Sequence, residues 1–144
     1  MYNNFICITN WQNYYKIIEN NVWGVKKSSL NQLNKTSKWD KLIFYIKEGR
    51  WQGQKFASSI SGIYEVVSDI FYDESKIFLY NNETFPYRIK IKNISHMNSP
   101  KNFRPLIPML KLTKNSIRWG VVFMGKAMIQ LDNMDYETII KYLK

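Results

Sequence analysis

Tyr87, Ile89 and Ile91 alternate one for one with Arg88, Lys90 and Lys92. Only an extended strand with one buried and one solvated face meets a period of two, so residues 87–94 are predicted to form a half-buried strand with a basic outer face. Other segments share the β-prone composition. Residues 5–9 read as a short buried strand and residues 41–46 as a central one. Residues 47–55, with Gly49 and Gly53, read as a hairpin loop. Residues 58–67 place Ile60, Gly62, Tyr64 and Val66 on one face and Ile63, Glu65 and Val67 on the other. Gly62 inside that strand predicts a bulge or a close backbone approach. Residues 119–125 and 127–131 read as two short extended segments around a glycine.

Helical signals fall between the strands. Asn10 is placed to cap a helix carrying Trp11, Tyr14, Tyr15 and Ile18, ended by Glu19-Asn20-Asn21. Val22-Trp23-Gly24-Val25 then breaks the pattern in a loop-like way, and Ser28 caps a short helix with Leu30 and Leu33. Residues 103–110 predict a short helix with Pro105 in its first turn. Asp132 caps a final helix in which Tyr136, Ile139, Ile140 and Leu143 share a face, and Asp135 and Glu137 complement its N-terminus. Five or six strands with inserted helices predict an α+β fold, a small mixed β-barrel closed against exposed edges. At 144 residues and 45% apolar composition, the chain is expected to be one domain, residues 1–144, with a continuous core.

The longest apolar runs are strand-sized, and Met1-Tyr2-Asn3-Asn4 is not the start of a secretory signal. Cys7, in Phe5-Ile6-Cys7-Ile8, is expected to be a buried thiol. These features point to a soluble cytoplasmic protein without a membrane partner. Lys and Arg number 21 against 11 Asp and Glu, a net charge of +10. No acidic residue occurs from Thr84 to Leu131, while nine basic ones do, Arg88, Lys90, Lys92, Lys101, Arg104, Lys111, Lys114, Arg118 and Lys126. A one-sign stretch of this kind attracts phosphate backbones. Aromatic content of 16% adds side chains that stack on bases.

Catalytic groups are sparse. The one histidine, His96, lies in an apparent loop, and Cys7 has no base beside it. Asp73-Glu74 and Asp132, Asp135 and Glu137 read as turn and cap residues. A phosphate-binding glycine loop is absent. No catalytic residue, metal site or cofactor is assigned.

Seven ordered pieces carry a resemblance. They are Thr9-Asn10-Trp11 with Asn21-Val22-Trp23-Gly24-Val25; residues 40–45; residues 60–66; Phe71-Tyr72-Asp73-Glu74-Ser75; residues 85–90; Arg118-Trp119-Gly120; and residues 124–128. Together they resemble the EVE domain family, in particular its archaeal-type single-domain members. The resemblance implies a PUA-like barrel related to the YTH domains, which read methylated adenine. It also implies a partner of RNA or DNA carrying a modified base, methylated adenine or modified cytosine. It assigns Trp23, in Val22-Trp23-Gly24, as the first wall of an aromatic cage, with Gly24 and Val25 beside it. Phe78 and Phe85 stand where the relatives place their other cage aromatics. Thr9 and Asn10 follow the first strand at the family pocket. Asn10 serves equally as helix cap or base-edge partner and Trp119 as pocket rim or core, while Trp23 is read as cage ahead of core. Trp51, between Arg50 and Gln52, is left as a neighbouring-base contact, an exposed residue or a partner contact.

The scheme that follows is a base in the aromatic pocket and a phosphate backbone held by Arg88, Lys90, Lys92, Arg118 and Lys126. The rival readings are an RNA-processing or RNA-modifying enzyme of PUA-like fold, and a protein-interaction module. Monomer and weak dimer both fit the sequence.

Overall fold

The computed structural model describes residues 2–78, 82–95 and 99–144. In chain order the elements are β1 (Asn4–Thr9), α1 (Trp11–Asn20), β2 (Val22–Val25), α2 (Leu30–Leu33), β3 (Lys41–Ile46), β4 (Gly49–Trp51) and β5 (Gln54–Phe56). There follow β6 (Ser59–Val66), β7 (Phe71–Tyr72), β8 (Tyr87–Asn93), β9 (Lys101–Asn102), β10 (Met128–Leu131) and α3 (Asn133–Leu143). Short 3-10 turns occupy Lys27–Ser29, Arg104–Leu106 and Trp119–Phe123. The fold is α+β, as expected. One curled sheet runs in the order β10-β1-β3-β6-β8-β2, with β7 added beside β8, β9 beside β6, and β4-β5 a separate hairpin. β1 and β3 are parallel, and the other neighbours are antiparallel.

The hydrophobic runs of β1 and β3 follow from burial on both faces. Phe5, Cys7, Leu42, Phe44 and Ile46 enter one core cluster, shared with Trp11, Tyr14 and Ile17 of α1. Ile6, Ile8, Ile43 and Tyr45 enter a second, covered by Phe103, Leu106, Leu110, Phe123 and Ile139 of α3. Burial pushes the Cys7 thiol far above its ordinary value, so it packs as a neutral group.

Gly62 does mark a bulge: Ile43 faces Ile63 while Tyr45 faces Ile60, so β6 spends one extra residue there. Ser61 fixes it, accepting from the Phe44 N–H at 2.8 Å and donating to the Gly62 carbonyl at 2.8 Å. The extra residue also moves Ile60 off the predicted face. Ile60 joins the second cluster with Ile63, while Tyr64 and Val66 join the first.

Other expectations need correcting. Val22–Val25 is not a loop-like break but a strand with all four residues buried. Trp119–Phe123 is a 3-10 turn rather than an extended segment. Ser29, not Ser28, stands at the N-cap of α2, without a side-chain bond. Asn10 and Asp132 do cap α1 and α3, accepting from the Asn13 and Asp135 N–H groups at 2.8 Å each. Asp135 itself is buried, and its carboxylate accepts from the backbone of Lys111 and Leu112 at 2.8 and 3.1 Å. It thereby ties the irregular 103–118 segment to α3. Among the described residues no helix is long and apolar enough to cross a membrane.

Candidate functional site

β10 and β2 are the two ends of the strand path. At the C-terminal ends of β1 and β3, between β2 and the chain that leads into β10, opens a cavity of about 560 Å³. The C-terminal end of β1 and the start of α1 supply Thr9, Asn10 and Asn13, and β2 supplies Trp23 and Gly24. Phe78, Glu83 and Phe85 come from the chain before β8, and Gly120, Phe123 and residues 124–127 from the chain before β10. Six of the eight expected pocket residues therefore line one space. The other two do not. Val25 points into the first core cluster, and Trp119 packs on Tyr45 and Phe103 with centroids 6.1 and 5.5 Å away. The rim reading of Trp119 gives way to core packing, because its 3-10 turn directs it inward.

Trp23 serves as both core and wall. It is 5% exposed, meets the Phe44 ring edge-on at 5.5 Å, and still borders the cavity. Its indole N–H is buried without a hydrogen-bond partner among the described residues, a donor that costs stability while unmet. Phe78 and Phe85 form the facing wall, edge to face at 5.4 Å. Phe85 holds a left-handed backbone, φ 48°, a strained state for a bulky residue.

Gly24 and Arg88 explain how that wall is held. A Cβ on Gly24 would lie 2.5 Å from the Phe85 carbonyl oxygen and 3.3 Å from Phe78, so only glycine lets the segment cross β2 at this depth. Arg88 was expected on the basic outer face, holding phosphate. Instead it is fully buried. Its guanidinium donates to the Phe85 carbonyl at 3.0 Å, to the Ser75 hydroxyl and carbonyl at 2.9 and 2.6 Å, and to the Thr84 carbonyl at 2.7 Å. Asp73 lies 3.5 Å from it, and the Phe78 ring 5.4 Å. Arg88 is covered because residues 73–75 and 84–85 fold over β8 and require a buried donor for their carbonyls. It shapes the wall and cannot reach a phosphate.

The other expected cations divide. Lys126 is exposed and lines the cavity; Arg118 is exposed two residues from Gly120 on the same wall. Lys90 and Lys92 are exposed on β8 but away from the cavity. Lys26 and Lys47 line it unforeseen, as do Ser28 and Ser29. Lys26 sits 3.9 Å from Glu83, the one carboxylate on the wall among the described residues. Their signal was positional: each lies just past the end of a strand. Trp51 stacks on Tyr15 at 6.1 Å, and so clips the β4-β5 hairpin to α1. His96 lies outside the described residues.

Comparison with known proteins places this architecture. The EVE domain pattern matches residues 3–142. The UPF0310 protein PH1033 of Pyrococcus horikoshii is 43% identical over 143 residues, covering 96% of this chain and 97% of that one. The UPF0310 protein PYRAB08750 of Pyrococcus abyssi is 39% identical over 137 residues, covering 94% and 95%. Among solved structures, the YTH domain of Zygosaccharomyces rouxii MRB1 in complex with N6-methyladenosine RNA is similar with a TM-score of 0.64 at 14% identity, over 99% of this chain and 87% of that one. Human THYN1 in complex with 5-methylcytosine-containing DNA gives 0.61 at 10%, over 97% and 96%. The structural likeness carries the fold, and the sequence match carries the family. This chain belongs to the EVE domain family.

Proposed function

We propose that this protein binds nucleic acid and takes one modified base, a methylated adenine or a modified cytosine, into the cavity between β2 and the chain before β10, without chemistry on it. The observation that carries the reading is the meeting of an aromatic wall, Trp23, Phe78, Phe85 and Phe123, with three lysines, Lys26, Lys47 and Lys126, around one space of about 560 Å³. That volume is in the range of small-molecule sites. Solved neighbours of the same fold hold N6-methyladenosine RNA and 5-methylcytosine DNA.

The energetics separate into two parts. Lysines at the mouth hold the backbone, with little sequence information and strong salt dependence. Taking a base out of its stack costs a few kcal/mol, and stacking on aromatic rings returns about 1–3 kcal/mol per base. Because Trp23 is 5% exposed, it offers a strip of indole, and the Phe78–Phe85 wall supplies the facing surface. Asn10 keeps its cap bond through Oδ1, which leaves its amide NH₂ as the group free to address a base edge.

The test is a fluorescence titration with short oligonucleotides carrying N6-methyladenine, 5-methylcytosine or no modification. The wild type is expected to prefer one modified oligonucleotide. Trp23→Ala should keep weak, salt-sensitive binding to all of them and lose the preference. Phe85→Ala, at a half-buried position, repeats the test with less disturbance of the core. Unchanged selectivity in both variants overturns the assignment.

A further inference from the structure

The chain entering the cavity from the β10 side carries a feature that binding in the cavity does not use. In the 3-10 turn Trp119–Phe123 the Val121 N–H donates to the Arg118 carbonyl at 2.9 Å, and the Met124 N–H to the Val121 carbonyl at 3.1 Å. Side chains three apart eclipse in this geometry, so Arg118, Val121 and Met124 form one edge. Trp119 and Val122 form another and pack into the second core cluster. The outer edge is open: Val121 is 49% exposed, Met124 71%, and Ile117 just before it is fully exposed. Met124 also lines the cavity. An apolar stripe of Val121 and Met124 therefore starts at the mouth and runs outward for about 6 Å, at ~2 Å per residue.

Large exposed apolar groups in a row mark a binding surface, and charge identifies what covers this one. Arg118 lies on the same edge and Lys126 just beyond the stripe. Neither forms an ion pair among the described residues. No acidic residue occurs between Thr84 and Leu131. A polyanion whose interior is apolar matches both properties, and a nucleic-acid duplex is one. Drawing a base out of a duplex leaves a gap between two base pairs, which apolar side chains fill as a wedge.

We infer that Val121 and Met124 are the wedge that occupies the place of the extruded base, so that the ligand is a duplex rather than a single strand. This rests on the cavity being the base site. A single strand has no such gap, and the stripe should then contribute little.

The test uses Val121→Ser, exposed and outside both the core and the cavity lining. Affinities of wild type and variant are measured by anisotropy for a short duplex and for its isolated strand, each with and without the preferred modification. The variant is expected to lose about tenfold on duplex and less than twofold on single strand. An unchanged ratio of duplex to single-strand affinity overturns the inference. Vesicles of phosphatidylserine and phosphatidylcholine form a further arm. Vesicle binding that the variant loses, with oligonucleotide binding intact, also overturns it and assigns the stripe to a lipid surface. Modification preference on isolated strands reports the cavity separately, so failure of the wedge and failure of the base site read differently.

Discussion

At Gly24 the chain has no room for one more carbon. The Phe85 carbonyl oxygen would sit 2.5 Å from it, and backbone cannot yield as a flexible side chain does. Gly24→Ala is expected to cost about 1–3 kcal/mol and to push the Phe78–Phe85 wall away from β2. Urea denaturation and oligonucleotide titration on one preparation check both effects; an alanine variant with wild-type stability and affinity would show that the wall moves freely. Arg88 acts from the other side of the same segment. Its bonds to Phe85, Ser75 and Thr84 are lost together in Arg88→Met, expected to cost about 3–5 kcal/mol through stranded partners. The glycine and the arginine thus have one job, to hold two phenylalanines at the cavity. Sequence reading found the glycine's neighbourhood but sent the arginine outward. Alternation fixes which face a residue takes, and it does not reveal that the chain before the strand has covered the outer face.

Asp135 shows how elements without regular structure of their own are ordered. Its carboxylate accepts two backbone N–H groups from Lys111 and Leu112, while its own N–H meets the Asp132 cap. Asp135→Ala is expected to lower stability by about 1–3 kcal/mol and to loosen residues 103–118, which cover Ile6, Ile43 and Ile60. Hydrogen exchange resolved by segment should show faster exchange there than in β1 and β3; uniform exchange would contradict the tie. The strands at residues 4–9, 41–46 and 87–93 were legible because hydrophobic runs and alternation are local signals. β2 was not, since a glycine beside a tryptophan carries no period, and its strand character comes from pairing with β8 across a long stretch of sequence. The Gly62 bulge was legible, but not its effect on the faces. The lysines at 26 and 47 were illegible for a related reason, because the topology alone brings strand ends together.

Across the whole molecule, buried phenols set the alkaline limit. Burial pushes Tyr45 up to about 12. It also holds Tyr14 and Tyr64 above the ordinary phenol range. An unfolded tyrosine ionises near 10, so above that pH the unfolded chain releases protons first and folding stability falls. The fold should hold its full stability below pH ~10 and lose it as pH climbs toward the folded value of Tyr45. Phenolate absorbance followed together with near-ultraviolet circular dichroism should show these tyrosines ionising as tertiary structure is lost; ionisation near 10 with the signal intact would contradict their burial. The arrangement of the sheet has a different consequence. Since the cavity is walled by β2, a terminal strand of the ladder, and by the irregular residues 120–127, parting those two breaks no strand pairing. Guests of unequal girth, a one-ring or a two-ring heterocycle, can be accommodated by spreading this seam, while the doubly buried strands β1 and β3 keep their register.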